Sequence, residues 1–349
     1  MTMHLKALAG AAVALALSAQ AALAQQKTIT LMAYSGIFQE RYTKAVVEPF
    51  MKANPEIKVE FFALPNSAQM LGSLRAQKAA PQADVVIMDV SVSKAGTDEG
   101  LFTKIDEKNV PAAAELYPTA RISDIAGVAV TFDNLVMIYN SDAIKEPPKS
   151  WFELADKKYA GKVTFNGMPD IQGLSLVLIL DKARGGTSYL TNVDKGIAAV
   201  GEIAPNVLTW EPKPESYQVI IQGQAHLGAA WNARAQLNSD ISGGKLKATL
   251  PVEGSVFQIN TINLVANRPD AEAAAKFVNY ALGTVAQKAF TEEMFYAPVN
   301  AKAQIAEAAI NRTAVKSMDK VVTLDWIALA KVRDQIMDQW RRKVLPLSR

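Results

Sequence analysis

The chain has 349 residues, half of them hydrophobic, and a formal net charge of +3. So small an imbalance gives no basic field for a nucleic acid. The absence of cysteine excludes disulfides, thiolate metal sites and a cysteine nucleophile. Only His4 and His226 are present, which removes most histidine-based zinc sites. No Gly-x-Ser-x-Gly elbow, Gly-x-Gly-x-x-Gly turn or Walker-type phosphate loop occurs.

Residues 1–24 read as a secretory signal. A short head ending at Lys6 precedes the apolar run Ala7–Leu17, and Ala22-Leu-Ala24 is a small-x-small cleavage site. Cleavage is expected between Ala24 and Gln25, which leaves about 325 residues outside the cytoplasm, enough for two lobes. A periplasmic location is expected. Leu174–Leu180 is too short to span a membrane and runs into Asp181, so no insertion of the mature chain is expected.

Strand and helix patterns then alternate. Thr28–Tyr34 reads as a buried strand, Gln39–Ala53 as a helix kinked at Pro49, and Ile57–Phe62 as a strand. Ser67–Lys78 is an amphipathic helix and Asp84–Met88 another buried strand. This βαβαβ order predicts a mostly parallel sheet under helices. In such sheets ligands sit beyond the carboxyl ends of the strands, which singles out Tyr34-Ser35-Gly36 and Asp89-Val90-Ser91.

Two long extended stretches, Gly127–Asn140 and Ser255–Val265, bracket a second α/β block. The block holds helices at Ile171–Ala183 and Asn192–Ile203 and strands at Val207–Trp210 and His226–Trp231. Two lobes joined by a two-strand hinge follow, an arrangement that closes on ligands by bending. Lobe one is placed at 25–135 plus 258–305 and lobe two at 136–257 plus 306–349. The chain ends in a helix, Leu324–Trp340, with Leu329, Val332, Ile336 and Trp340 on one stripe. Trp151, Trp326 and Trp340 read as packing, and His226 as a structural histidine.

Several segments in this order resemble one family. They are Glu48-Pro-Phe-Met51, Asp84-Val-Val-Ile87, Glu99-Gly-Leu-Phe-Thr-Lys-Ile-Asp106 and Ile138-Tyr-Asn-Ser141. Pro148-Lys-Ser-Trp151, Tyr159-Ala-Gly-Lys162, Ala230-Trp-Asn-Ala-Arg234, Glu253-Gly-Ser-Val-Phe257 and Phe295-Tyr-Ala-Pro-Val-Asn300 complete the set. Across nearly the whole mature chain they resemble the extracellular solute-binding proteins of ABC transporters, in the branch that includes the spermidine/putrescine binders. The resemblance implies a type II, two-lobe periplasmic-binding-protein-like α/β fold. It also implies a small-molecule solute, permease subunits in the inner membrane as partners, a monomer, no cofactor and no enzymatic activity.

Polyamine binders of this family hold a dication between aromatic walls and carboxylates, because an ammonium leaving water needs a π face or an anion. Here the first-strand loop has Ser35 and Phe38 where those proteins carry Trp and Tyr, and the loop after the Asp84 strand reads Asp89-Val-Ser91-Val. The late crossing has Gln258 and Asn260 in place of a Trp and an Asp. Trp231 is kept, paired with Asn232, and Arg234 follows. A guanidinium suits a carboxylate, sulfonate or phosphonate through two parallel hydrogen bonds. Asp89 and Asp170 remain to receive an ammonium. The expected ligand is therefore zwitterionic or anionic, such as an opine, an amino-acid derivative or a carboxylate, with a polyamine as the alternative. The expected contacts are Tyr34, Ser35, Phe38, Asp89, Ser91, Asp170, Trp231, Asn232, Arg234, Gln258, Asn260 and Tyr296. The competing classes are a ferric binder, which lacks the adjacent tyrosines of that group, a periplasmic enzyme, and a sensor that docks on a receptor.

Overall fold

The computed structural model describes residues 26–315, 320–322 and 324–348; the expected leader and its cleavage site at Ala24 and Gln25 lie outside them. Among the described residues eleven strands are formed: β1 (Lys27–Tyr34), β2 (Ile57–Leu64), β3 (Val85–Asp89), β4 (Phe102–Thr103), β5 (Val128–Asn140) and β6 (Val163–Thr164). They continue with β7 (Val207–Thr209), β8 (Leu227–Trp231), β9 (Leu246–Thr249), β10 (Ser255–Val265) and β11 (Val321–Val322). The main path through the sheet is β2-β1-β3-β10-β5-β8-β6-β7.

Each end of this path is parallel: β1 with β2 and β3 on one side, β6 with β7 and β8 on the other. Between them run the long strands β5 and β10, antiparallel to one another. The first half of β5 pairs with β10 as far as Asn134, and the second half pairs with β8 from Leu135. One strand thus serves both lobes. All of β5 is buried, including the polar pair Asp133-Asn134 at the changeover. A strand covered on both faces reads as a near-continuous apolar run, which explains why the crossings were visible in the sequence.

Local chemistry accounts for the details. The first helix is interrupted by a π turn over Thr43–Val47 and resumes at Glu48–Ala53 with Pro49 in its first turn. Proline has no N–H to give to the preceding turn, so the ladder is re-registered there instead of broken. Helix Ile171–Ala183 is buried on every side from Gln172 to Asp181, the state its unbroken apolar run requires. It packs against helix Asp194–Ile203. At Gly196 the backbones meet so closely that an added Cβ would sit 2.2 Å from the Val177 carbonyl oxygen. Gly196→Ala should therefore cost about 1–3 kcal/mol through overpacking, checked by urea denaturation; an unchanged midpoint would show that the helices separate freely.

Trp151, Trp326 and Trp340 pack as read. Trp151 is fully buried and donates its indole N–H to the Gly254 carbonyl at 2.8 Å. Trp326 donates to the Phe257 carbonyl on β10 at 2.9 Å. Trp340 meets Trp210 edge-on, and Trp210 meets Phe165 in the same way. The last helix, Trp326–Lys343, packs against helix Val90–Asp98 behind β3 and against helix Asp194–Ile203 of the second block. Among the described residues, no helix is long and apolar enough to cross a membrane.

Candidate functional site

A groove of about 850 Å³ opens between the two halves. Its first wall is built by Asn66, Ser67, Asp89 and Ser91, all at or just beyond the carboxyl ends of β2 and β3. Its second wall is the segment Asn166–Ile171 with Thr209 and Trp210. The expectation that ligand-facing groups gather beyond strand ends thus describes both walls.

Asp89 is the centre of the first wall. It occupies the position before helix Val90–Asp98, yet its carboxylate makes no capping hydrogen bond. Instead Oδ2 accepts the Ser67 hydroxyl at 3.0 Å and Oδ1 accepts from the Gln258 side-chain amide at 3.2 Å. The Tyr34 hydroxyl lies 2.9 Å from Ser67 Oγ and donates to Asn260 Oδ1 at 3.0 Å. Asn260 in turn donates to Thr131 Oγ1 at 3.0 Å. Burial pushes the Asp89 carboxyl above its usual range, and hydrogen bonds from Ser67 and Gln258 pull it back. The network joins strands β1, β3, β5 and β10 around one anion.

Asp170 belongs to the second wall. It caps helix Ile171–Ala183 by accepting the Gln172 N–H on Oδ1 at 2.8 Å. Its surface opens to solvent, although the crowding walls hold its carboxyl above the usual range and the nearby Asp89 adds to this.

Arg234 sits on the first turn of helix Asn232–Ile241, just past the carboxyl end of β8. One N–H is committed to Glu215 at 2.9 Å. Burial works against its charge, but Tyr296, Tyr217, Glu215 and Asp133 around it together hold its pKa above that of a free guanidinium. Its charge acts on the Tyr34 hydroxyl behind Ser67 and on Asp170 of the second wall. Arg234 is not among the residues lining the groove, and most of its five donors are uncommitted to an ion pair.

Of the twelve expected contacts, Asp89, Ser91 and Asp170 line the groove and the others do not. Phe38 is fully buried inside an aromatic cluster with Tyr34, Tyr42, Phe290 and Tyr296, so it supports Tyr34 from behind and is no wall of the groove. Asn232 does not line the groove; it donates to the Arg312 carbonyl at 2.7 Å and accepts from Gln236 at 3.0 Å. Helical spacing puts neighbouring residues on different faces, so Asn232 and Arg234 could not both face the cleft. Trp231 and Tyr296 are buried and do not line the groove. Tyr217 donates to the Trp231 carbonyl at 3.1 Å. Ser35 is half-buried, its N–H bonded to the Leu64 carbonyl at 3.0 Å. Ser91 lines the groove.

Sequence reasoning missed Ser67, Asp133, Glu215, Tyr217 and Arg333. Ser67 had a signal, because it lies just past the carboxyl end of β2 as Asp89 lies at that of β3. Asp133 and Arg333 had none: one lies within a buried strand and the other on a helix read as packing.

Two α/β halves joined by two long shared strands, with a polar groove between them walled from both sides, define a two-lobed receptor for a small solute. The chain belongs to the bacterial extracellular solute-binding protein family, whose pattern matches residues 45–316. It is 25% identical over 293 residues to the gamma-aminobutyric acid-binding protein of Pseudomonas aeruginosa, covering 81% of this chain and 80% of that one. It is 23% identical over 347 residues to the spermidine/putrescine-binding periplasmic protein of Escherichia coli, covering 96% of each. The crystal structure of an extracellular solute-binding protein from Bordetella parapertussis superposes with a TM-score of 0.76 at 24% identity, over 92% of this chain and all of that one. The fold and the capture of a small solute follow from this membership.

Proposed function

We propose that the groove captures a zwitterionic amino acid whose amine and carboxylate are separated by a short chain. Asp89 and Asp170 receive the ammonium, and Arg234 receives the carboxylate through paired hydrogen bonds. The observation that carries this reading is a carboxylate on each wall of the groove, Asp89 and Asp170, with the charge of Arg234 close enough to act on Asp170. Gamma-aminobutyrate, the ligand named for the Pseudomonas relative, has this chemistry. On the same reading the protein works in the periplasm as a monomer. It delivers its solute to the permease of an ABC importer and catalyses no reaction. Contacts from both lobes supply the differential affinity that closure needs.

A polyamine is the second reading, favoured by the two carboxylates at the groove and by the Escherichia relative. Thermal unfolding of the purified protein against gamma-aminobutyrate, putrescine, spermidine and simple carboxylates separates the two. A ligand at 100 times its Kd stabilises by about 2.7 kcal/mol, a shift of a few degrees. A shift with the amino acid and none with diamines is the expected result. A shift with diamines alone would overturn the zwitterion reading.

A further inference from the structure

The last helix, Trp326–Lys343, carries a cation to the mouth of the groove. Arg333 lines it together with Asp89 from one wall and Asp170 from the other. Its Nη2 donates to the carbonyl of Pro169, the residue before Asp170, which fixes the guanidinium beside the second wall. The helix packs on both halves of the molecule, so this position is held from two sides. Arg333 makes no ion pair with either carboxylate among the described residues, but its charge lowers the pKa of both. The remaining charged residues of the groove, Glu211 and Lys213, offset one another.

We propose that Arg333 sets the charge specificity of the site by occupying the place that a second ligand ammonium would take. Asp89 and Asp170 together could balance a dication. With Arg333 beside them the groove keeps one uncompensated negative charge, which matches one ammonium. A diamine then brings its second cation against a fixed guanidinium, and specificity arises from repulsion of the wrong ligand as much as from attraction of the right one. This deepens the zwitterion reading of the same groove. Its origin differs from that of Arg234, since Arg333 needs no contact with ligand.

The test compares wild type, Arg333→Gln and Arg333→Lys by titration calorimetry with putrescine and with gamma-aminobutyrate. Arg333 is exposed, so both variants should fold. Arg333→Gln is expected to bind putrescine at least about tenfold more tightly than wild type, with a smaller change for gamma-aminobutyrate, as expected for removal of a like-charge clash. Arg333→Lys, which keeps the charge and loses the planar fork, is expected to stay close to wild type. A putrescine gain below about twofold in Arg333→Gln, or an equal gain in Arg333→Lys, overturns the inference. Failure of wild type to bind gamma-aminobutyrate would count against the proposed function and leave the putrescine comparison to judge Arg333 by itself.

Discussion

Arg234→Ala is expected to weaken capture of the amino acid by about 2–5 kcal/mol, roughly 30-fold to several thousand-fold in Kd. The magnitude follows from where the guanidinium sits. It is three-quarters shielded from solvent, and one N–H is held by Glu215. The phenols of Tyr296 and Tyr217 and the carboxyl of Asp133 surround it. These partners hold the charge in place before a ligand arrives, so little ordering remains to be done on binding. Arg234→Lys should recover only part of the loss, because an ammonium cannot present two parallel N–H donors to one carboxylate. Calorimetry decides the matter: a loss under about 0.5 kcal/mol in Arg234→Ala would mean that the guanidinium does not touch the ligand.

The second large effect concerns Asp133, which is 1% exposed at the point where β5 passes from one lobe to the other. Its carboxylate accepts the N–H of Asn134 at 2.8 Å and that of Ala233 at 3.1 Å, capping the helix that carries Arg234. Burial pushes its pKa from 3.8 up to about 7, against the pull of those two hydrogen bonds and of Arg234. A raised pKa means that the folded chain holds the proton more tightly than the unfolded chain. The stabilisation is therefore complete below pH ~4 and is lost as pH rises towards 7. At about 1.4 kcal/mol per unit, the change is on the order of 4 kcal/mol. Asp133→Asn cannot titrate, and its side-chain oxygen can still accept from Ala233. The stability of wild type relative to Asp133→Asn should thus fall by that order between pH 4 and pH 8, measured by urea denaturation at several pH values. A difference independent of pH would show that Asp133 titrates as a solvated carboxyl.

Both effects centre on residues whose roles were unequally legible. Arg234 was singled out because it follows a strand end by three residues and the order of elements says that strand ends face the cleft, but it is not among the residues lining the groove. Asp89, Ser91 and Asp170 were readable for the same reason, and all three line the groove. Asp133 sits in the middle of a strand, where alternation says only which face a side chain takes. Nothing in its neighbours reveals that the carboxylate turns to cap a helix one hundred residues further on.

The sequence by itself determined the alternating α/β order, the two long crossings at the observed strands Val128–Asn140 and Ser255–Val265, and the buried helix Ile171–Ala183. These are matters of local period and continuous apolar length, and a chain must bury such runs wherever they fall. Only the tertiary structure decided that Phe38 goes to the core, that Asn232 turns from the cleft to Arg312, and that Arg333 arrives beside Asp170. The direction of a side chain just past a strand or along a helix depends on what packs against it. Those partners come from distant segments, 164 residues away in the case of Arg333 and Pro169, a separation at which local pattern carries no information.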